Sequence, residues 1–152
     1  MTNFIVFLTD DQGYGDLSCM GCEDFRTPHL DRMAHDGARF TSWYSNSPVC
    51  SPSRAALLTG RYPMRYGLQV DVVRPWARYG LPLTERLLPQ ALRRAGYATA
   101  ICGKWHLGLD EQNHPCRRGF HRFRGFLGDM MDDYYTHLRH GHNYMRDDFD
   151  VV

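Results

Sequence analysis

Asn3-Phe4-Ile5-Val6-Phe7-Leu8 is continuously apolar and β-prone, without the alternation that marks a strand with one wet face. Such a run predicts a strand covered on both sides, the condition of strands inside a largely parallel sheet flanked by helices. It runs into Thr9-Asp10-Asp11-Gln12-Gly13-Tyr14-Gly15-Asp16, where two adjacent acids lie beyond the strand's carboxyl end and glycines let the chain turn sharply. Ligands of open α/β sheets bind at that end of the strands. Calcium and magnesium take carboxylate oxygens, so Asp10 and Asp11 are candidate metal ligands, against the plainer reading of a solvated acidic turn.

The stretch Cys50 to Arg61 predicts a short helix with a cysteine at its mouth. Ser51 can cap, Pro52 suits the first helical position, Ala55-Ala56-Leu57-Leu58 propagates, and Gly60 closes it. Unpaired amide groups at such an end attract sulfate, phosphate or carboxylate. Arg54 lies four residues on, one turn away on the same face, so Cys50 and Arg54 are predicted to look into one anion-binding hollow. Tyr97 to Cys102 then reads as a strand entering Gly103-Lys104-Trp105-His106-Leu107-Gly108. In extended chain, residues two apart face the same way, which would aim Lys104 and His106 together and turn Trp105 to the other side.

Between these motifs the chain reads as scaffold. Thr27 to Gly37 has a cap, a first-turn proline and a terminal glycine, with Leu30, Met33 and Ala34 on one packing face. Ala38 to Ser45 predicts a second strand, and Thr84 to Ala95 a helix ended by Gly96 in which Pro89 begins the regular part or bends it. Arg65, Arg74 and Arg78, in the long loop between, are ordinary surface arginines or readers of a second anionic group. From Arg117 to His137 the chain reads as aromatic and loop-like. Asp132 and Asp133 form a solvated turn there, and His137, His140 and His142 show no ligand spacing.

The charge balance excludes some partners. Lys plus Arg number 18 against 17 Asp plus Glu, a formal net charge of +1, so no broad basic field favours nucleic acid and anion selectivity must be local. The longest apolar run near the start is far too short to span a bilayer, and nothing around it has the form of an export signal, so no membrane is expected and no compartment is indicated. The 152 residues, 43% hydrophobic, suffice for one modest core. Five cysteines leave one over if the rest pair, and Cys19-Met20-Gly21-Cys22 has a half-motif spacing with no second pair to complete a zinc site.

Cys50-Ser51-Pro52-Ser53-Arg54, continued through Leu58-Thr59-Gly60-Arg61 and joined by the Asp10-Asp11 loop and the Gly103 to Gly108 stretch, resembles the signatures of the type I, formylglycine-dependent sulfatases. The segment after the second signature looks like that of the arylsulfatase B-like branch. The resemblance implies an α/β alkaline phosphatase/sulfatase-like fold, with residues 1–152 as the amino-terminal part of a catalytic domain whose carboxy-terminal part is absent. It implies that a formylglycine-generating enzyme oxidises Cys50 to an aldehyde, which also makes Cys50 the natural odd cysteine. One hydroxyl of the hydrated aldehyde would attack sulfur, and the other would expel sulfate as the aldehyde re-forms. Asp10, Asp11 and position 50 would bind Ca²⁺, Arg54 would support the hydrate, Lys104 would contact the sulfate, and His106 would orient or deprotonate the hydrate.

The implied substrate is an aryl or carbohydrate sulfate, with a tilt towards sulfated amino sugars. Family members are several times longer, and their later part supplies a further Asp/Asn pair, a lysine and a histidine that have no assigned counterpart here. Two carboxylates are few for an ion that takes six to eight oxygens. Rival readings are a phosphonate or phosphodiester hydrolase of the same superfamily, and a truncated, inactive fragment.

Overall fold

The computed structural model describes residues 2–152 and divides into two compact units, Met1–Tyr44 and Ser45–Val152. Within the first, helix α1 (Pro28–Asp36) forms where the cap signal and Pro28 predict it. Thr27 does not cap through its side chain. Its hydroxyl donates to Asp31 Oδ1 at 3.0 Å, while Ser18 Oγ donates to Asp31 Oδ2 at 2.6 Å and the Cys19 N–H to Oδ1 at 2.8 Å. The Ser18 hydrogen bond leads the contacts that hold the Asp31 carboxyl below its usual range. Two sequence expectations fail in this unit. Residues 3–8 and 38–45 are irregular rather than strands, and Phe4, Ile5, Val6, Phe7 and Leu8 are exposed, as are Leu30 and Met33 of the expected packing face. A strand exists only through its ladder to a neighbour, which local propensity cannot supply.

In the second unit, helix α2 (Cys50–Thr59) ends at Gly60, whose φ of 67° is the left-handed conformation a helix stop uses. Helix α3 (Leu88–Arg94) is shorter than expected because Pro89 sits in its first turn: the proline begins the helix. Strand β1 (Ala100–Lys104) pairs in parallel with β2 (Arg122–Phe126), and β2 pairs antiparallel with β5 (Met145–Asp147), which pairs antiparallel with β6 (Asp150–Val151). A separate hairpin joins β3 (Leu138–Arg139) to β4 (His142–Asn143) through His140-Gly141, both at positive φ as a tight hairpin turn of this type requires. The stretch from Arg117 to His137, which reads as loop-like, therefore carries β2, the strand that joins β1 to β5 in the mixed sheet. Asp133 does cap a solvated turn, accepting from the Tyr135 and Thr136 N–H groups at 2.8 Å each.

The core lies in this unit. Trp105, Leu107, Phe123, Leu81, Leu87 and Ala55 are fully buried, and the Trp105 ring meets Phe120 edge-on at 6.2 Å while its Nε1 donates to the Asn113 carbonyl at 2.9 Å. The parallel pairing brings Gly125 opposite Gly103, so close that a Cβ on Gly125 would lie 1.9 Å from the Gly103 carbonyl oxygen. Replacing Gly125→Ala must therefore push β2 off β1. The expected loss is about 1–3 kcal/mol of unfolding free energy or more, measured by urea denaturation against Cys102→Ala, an exposed neighbour whose change is expected to cost little.

A candidate active site at the mouth of helix α2

Cys50 is the first residue of α2 and is half-buried. Val49, in extended conformation, occupies the cap position and makes no side-chain cap hydrogen bond, so Ser51 and Pro52 stand one position or more deeper than the sequence suggested. Proline is tolerated there because the first four N–H groups of a helix have no intrahelical partner to lose. Ser51 is thereby released from capping. Its side chain is completely buried, and its Oγ donates to the His106 carbonyl at 2.7 Å and accepts from the Val73 N–H at 2.9 Å. Arg54, one turn on, donates from Nε to the Trp105 carbonyl at 3.2 Å and from Nη2 to the Lys104 carbonyl. Together these contacts lock the mouth of α2 to the chain leaving β1.

Lys104 and His106 are not presented by a strand alternation. β1 ends at Lys104, and His106 adopts φ 60°, a left-handed conformation unusual for a residue with a Cβ. The turn buries His106 to 1% exposure and leaves Lys104 half-buried. His106 Nε2 lies 3.0 Å from the Val73 carbonyl, and a carbonyl only accepts, so Nε2 carries the ring proton and Nδ1 holds a lone pair. Nδ1 is buried with no hydrogen-bond partner among the described residues. Burial first, and then the Lys104 charge with a smaller contribution from Arg54, pushes the imidazole from its ordinary 6.5 down to about 4. The site thus holds a neutral imidazole acceptor among fixed cations.

Asp10 and Asp11 belong to the other unit. Both are exposed, Asp11 has φ 57°, and the loop is closed by Asp16 Oδ2 accepting from the Gly13 N–H at 2.6 Å. Their carboxylates suit a hard cation in kind, while two such groups offer at most about four oxygens, fewer than calcium takes. Ser51 and Val73 are the contributors that sequence reasoning missed: a clamp made by a hydroxyl and a backbone amide leaves no mark beyond a serine that also fits a cap. Among the surface arginines, Arg74 is paired with Asp71 at 3.0 Å, while Arg78 lines a cleft with Tyr79, Asp110 and Arg117. Cys19, Cys22, Cys102 and Cys116 form no disulfide, and burial, aided by Asp148, pushes the Cys116 thiol up to about 11.

With this geometry in place, comparison with known proteins is decisive. The sulfatase family model matches residues 2–149. Human arylsulfatase A is 47% identical over 125 residues, covering 81% of this chain and 25% of that protein. The crystal structure of Ps i-CgsB in complex with k-i-k-neocarrahexaose is 38% identical, with a TM-score of 0.78 over 82% of this chain and 28% of that one. The structure of BT4656 in complex with its substrate D-glucosamine-2-N,6-O-disulfate is 30% identical, with a TM-score of 0.65 over 91% of this chain and 26% of that one. The chain belongs to the sulfatase family. It spans about a quarter of the length of the curated relatives it matches.

The His106 environment has a consequence for stability. Below pH 6.5 the unfolded chain binds a proton that the folded chain refuses until about 4, so stability falls as pH drops through that window and is unaffected by this group above it. Between pH 7 and pH 5 the wild type is expected to lose on the order of 2 kcal/mol more than His106→Gln. Urea denaturation at the two pH values measures the difference, and ¹⁵N imidazole spectra at pH 7 are expected to show the Nε2-protonated tautomer.

Proposed function

We propose that residues 1–152 are the amino-terminal part of a sulfatase catalytic domain, and that the site at the mouth of α2 hydrolyses an aryl or carbohydrate sulfate monoester. The observation that carries this reading is the lock between Ser51, the residue after position 50, and the His106 carbonyl, which ties the mouth of α2 to the turn bearing a buried, unprotonated imidazole nitrogen that feels the charges of Lys104 and Arg54. A sulfated amino sugar is the favoured substrate class. The relative solved with D-glucosamine-2-N,6-O-disulfate supports it, and the one solved with a neocarrahexaose supports a carbohydrate substrate more generally.

The residues divide the work by their contacts. The first N–H groups of α2 and the Lys104 ammonium offer positive potential to the sulfuryl oxygens, where negative charge concentrates during transfer. His106 would orient or deprotonate the nucleophile's hydroxyl, with the lone pair on Nδ1 as the acceptor that its neutral state leaves at neutral pH. Arg54 donates to the carbonyls of residues 104 and 105, so its part is to hold the Lys104–His106 turn in place while adding its charge. Formylglycine, made from Cys50 by a formylglycine-generating enzyme, would supply a hydrated aldehyde as nucleophile, and the half-buried helix-mouth position of Cys50 fits it. Calcium held by Asp10, Asp11 and position 50 would supply Lewis-acid polarisation of a sulfate oxygen, with further oxygens from outside this chain's pair of acids. Protonation of the leaving alcohol is left to the remainder of the longer fold.

The test is co-expression with a formylglycine-generating enzyme, mass spectrometry of the Cys50 peptide, and assay on a chromogenic aryl sulfate with calcium, with and without the carboxy-terminal portion of a sulfatase relative. The expected result is an aldehyde at position 50 and sulfate release that depends on calcium. Cys50→Ala should lower release by about 10³-fold or more, and Lys104→Ala by about 10²-fold. A thiol persisting at position 50, or faster turnover of an aryl phosphonate monoester than of the sulfate, would overturn the reading.

A further inference from the structure

Away from the α2 mouth, a cleft of about 440 Å³ is walled by Arg86, Arg93, Arg94 and Arg117, with Thr84 and Gln90 among its other lining groups. Its volume is in the range of clefts that take small ligands, ~300–1,000 Å³. The one acid in the wall, Glu85, is 7% exposed, and both its oxygens lie 2.6 Å from Nη1 of Arg61, so its charge is already matched. Behind the wall the guanidinium of Arg118, 2% exposed, donates to the carbonyls of Leu81, Pro82 and Glu85 and to Oδ1 of Asn113, dipoles that leave its full charge in place. Arg86, Arg93 and Arg94 are exposed, and among the described residues no carboxylate pairs with them.

This concentration does not follow from a basic protein, since the chain carries a formal net charge of only +1. The last turn of α3 favours cations and accounts for Arg93 and Arg94, but not for Arg86 or Arg117, which come from other segments. Arg117, bridged to Glu111 at 2.6 Å, also lines the neighbouring cleft, where Asp110 and Glu111 balance it and Arg78, so the unmatched guanidiniums are those of Arg86, Arg93 and Arg94. Guanidiniums gathered at one place repel each other until an anion joins them, and their planar forks match sulfate geometry. The hydroxyl of Thr84 and the amide of Gln90 suit a hydroxylated chain, and no aromatic ring lines the cleft to stack a nucleobase.

We propose that this arginine cleft is a docking site for a sulfated segment of a glycan, separate from the residues assigned to hydrolysis. It rests on the sulfated-substrate reading above and adds that the substrate is a polymer carrying more than one sulfate. The cleft then holds one sulfated unit while another is presented to the α2 mouth.

The test is binding of a fluorescein-labelled chondroitin sulfate hexasaccharide to the full chain by fluorescence anisotropy, beside its desulfated counterpart and a single-stranded oligonucleotide of equal charge. The sulfated probe is expected to bind at least about tenfold tighter than the desulfated one. The triple variant Arg86→Gln/Arg93→Gln/Arg94→Gln should weaken it by about tenfold or more with an unchanged unfolding midpoint, and the control Arg122→Gln/Arg124→Gln by about twofold at most. Unchanged binding in the triple variant, an equal loss in the control, or equally tight oligonucleotide binding would overturn the proposal. Release of sulfate from a small aryl ester, assayed with the carboxy-terminal portion of a sulfatase relative supplied, reads the α2 mouth alone. Failure there with the arginine-dependent binding intact would remove the hydrolytic reading and keep the docking site, and the reverse result would remove only the docking site.

Discussion

The Ser51 hydroxyl joins three separate stretches of chain: the first turn of α2 that carries it, the Val73 amide, and the His106 carbonyl. All three groups are buried, so deleting the hydroxyl would leave a backbone donor and a backbone acceptor without partners, a cost of about 1–3 kcal/mol for each. Val73 returns the connection through its own carbonyl, which receives the His106 Nε2 proton. The closed circuit determines the imidazole's tautomer, its burial and its place beside the helix mouth. Arg54 reinforces it from the same helix by holding the carbonyls of residues 104 and 105.

The core holds that circuit rigid. Trp105 and Leu107 flank His106 in sequence and are both fully buried, so the left-handed turn at residue 106 is fixed on either side by packing. β1 and β2 approach closely enough at Gly103 and Gly125 to exclude a methyl group, which sets where Lys104 leaves the sheet. Electrostatics then follows position rather than composition. A chain with nearly balanced charge gathers Lys104 and Arg54 near one buried imidazole and four exposed guanidiniums around one cleft, and each group acts over a distance on the order of the ~8–10 Å screening length.

The unit Met1–Tyr44 obeys a different constraint. It has one regular helix and no strand among its described residues, although Phe4 to Leu8 has the composition of a strand buried on both faces. That composition states what the segment requires, hydrogen-bonded neighbours and apolar cover, and both are supplied by residues distant in sequence. Relatives about four times as long carry far more chain from which such neighbours could come. The exposure of those side chains is thus consistent with the composition that predicted their burial.

The family, the helix at Cys50, its stop at Gly60, the helix after Thr27 and the strand entering Gly103-Lys104 were legible in the sequence, because caps, proline, glycine and local runs act within a few residues of themselves. The alternation in Arg122 to Phe126 also marks a strand, inside a stretch whose aromatic, glycine-bearing composition otherwise reads as loop. Tertiary structure alone decided the rest: that Ser51 clamps rather than caps, that His106 turns inward with Nδ1 unprotonated, that Arg118 is a buried cation while Arg86, Arg93 and Arg94 share a cleft, and that residues 3–8 are irregular rather than a strand. Each of these depends on which distant group meets a given atom, and a linear pattern specifies a residue's preferences without specifying its neighbours.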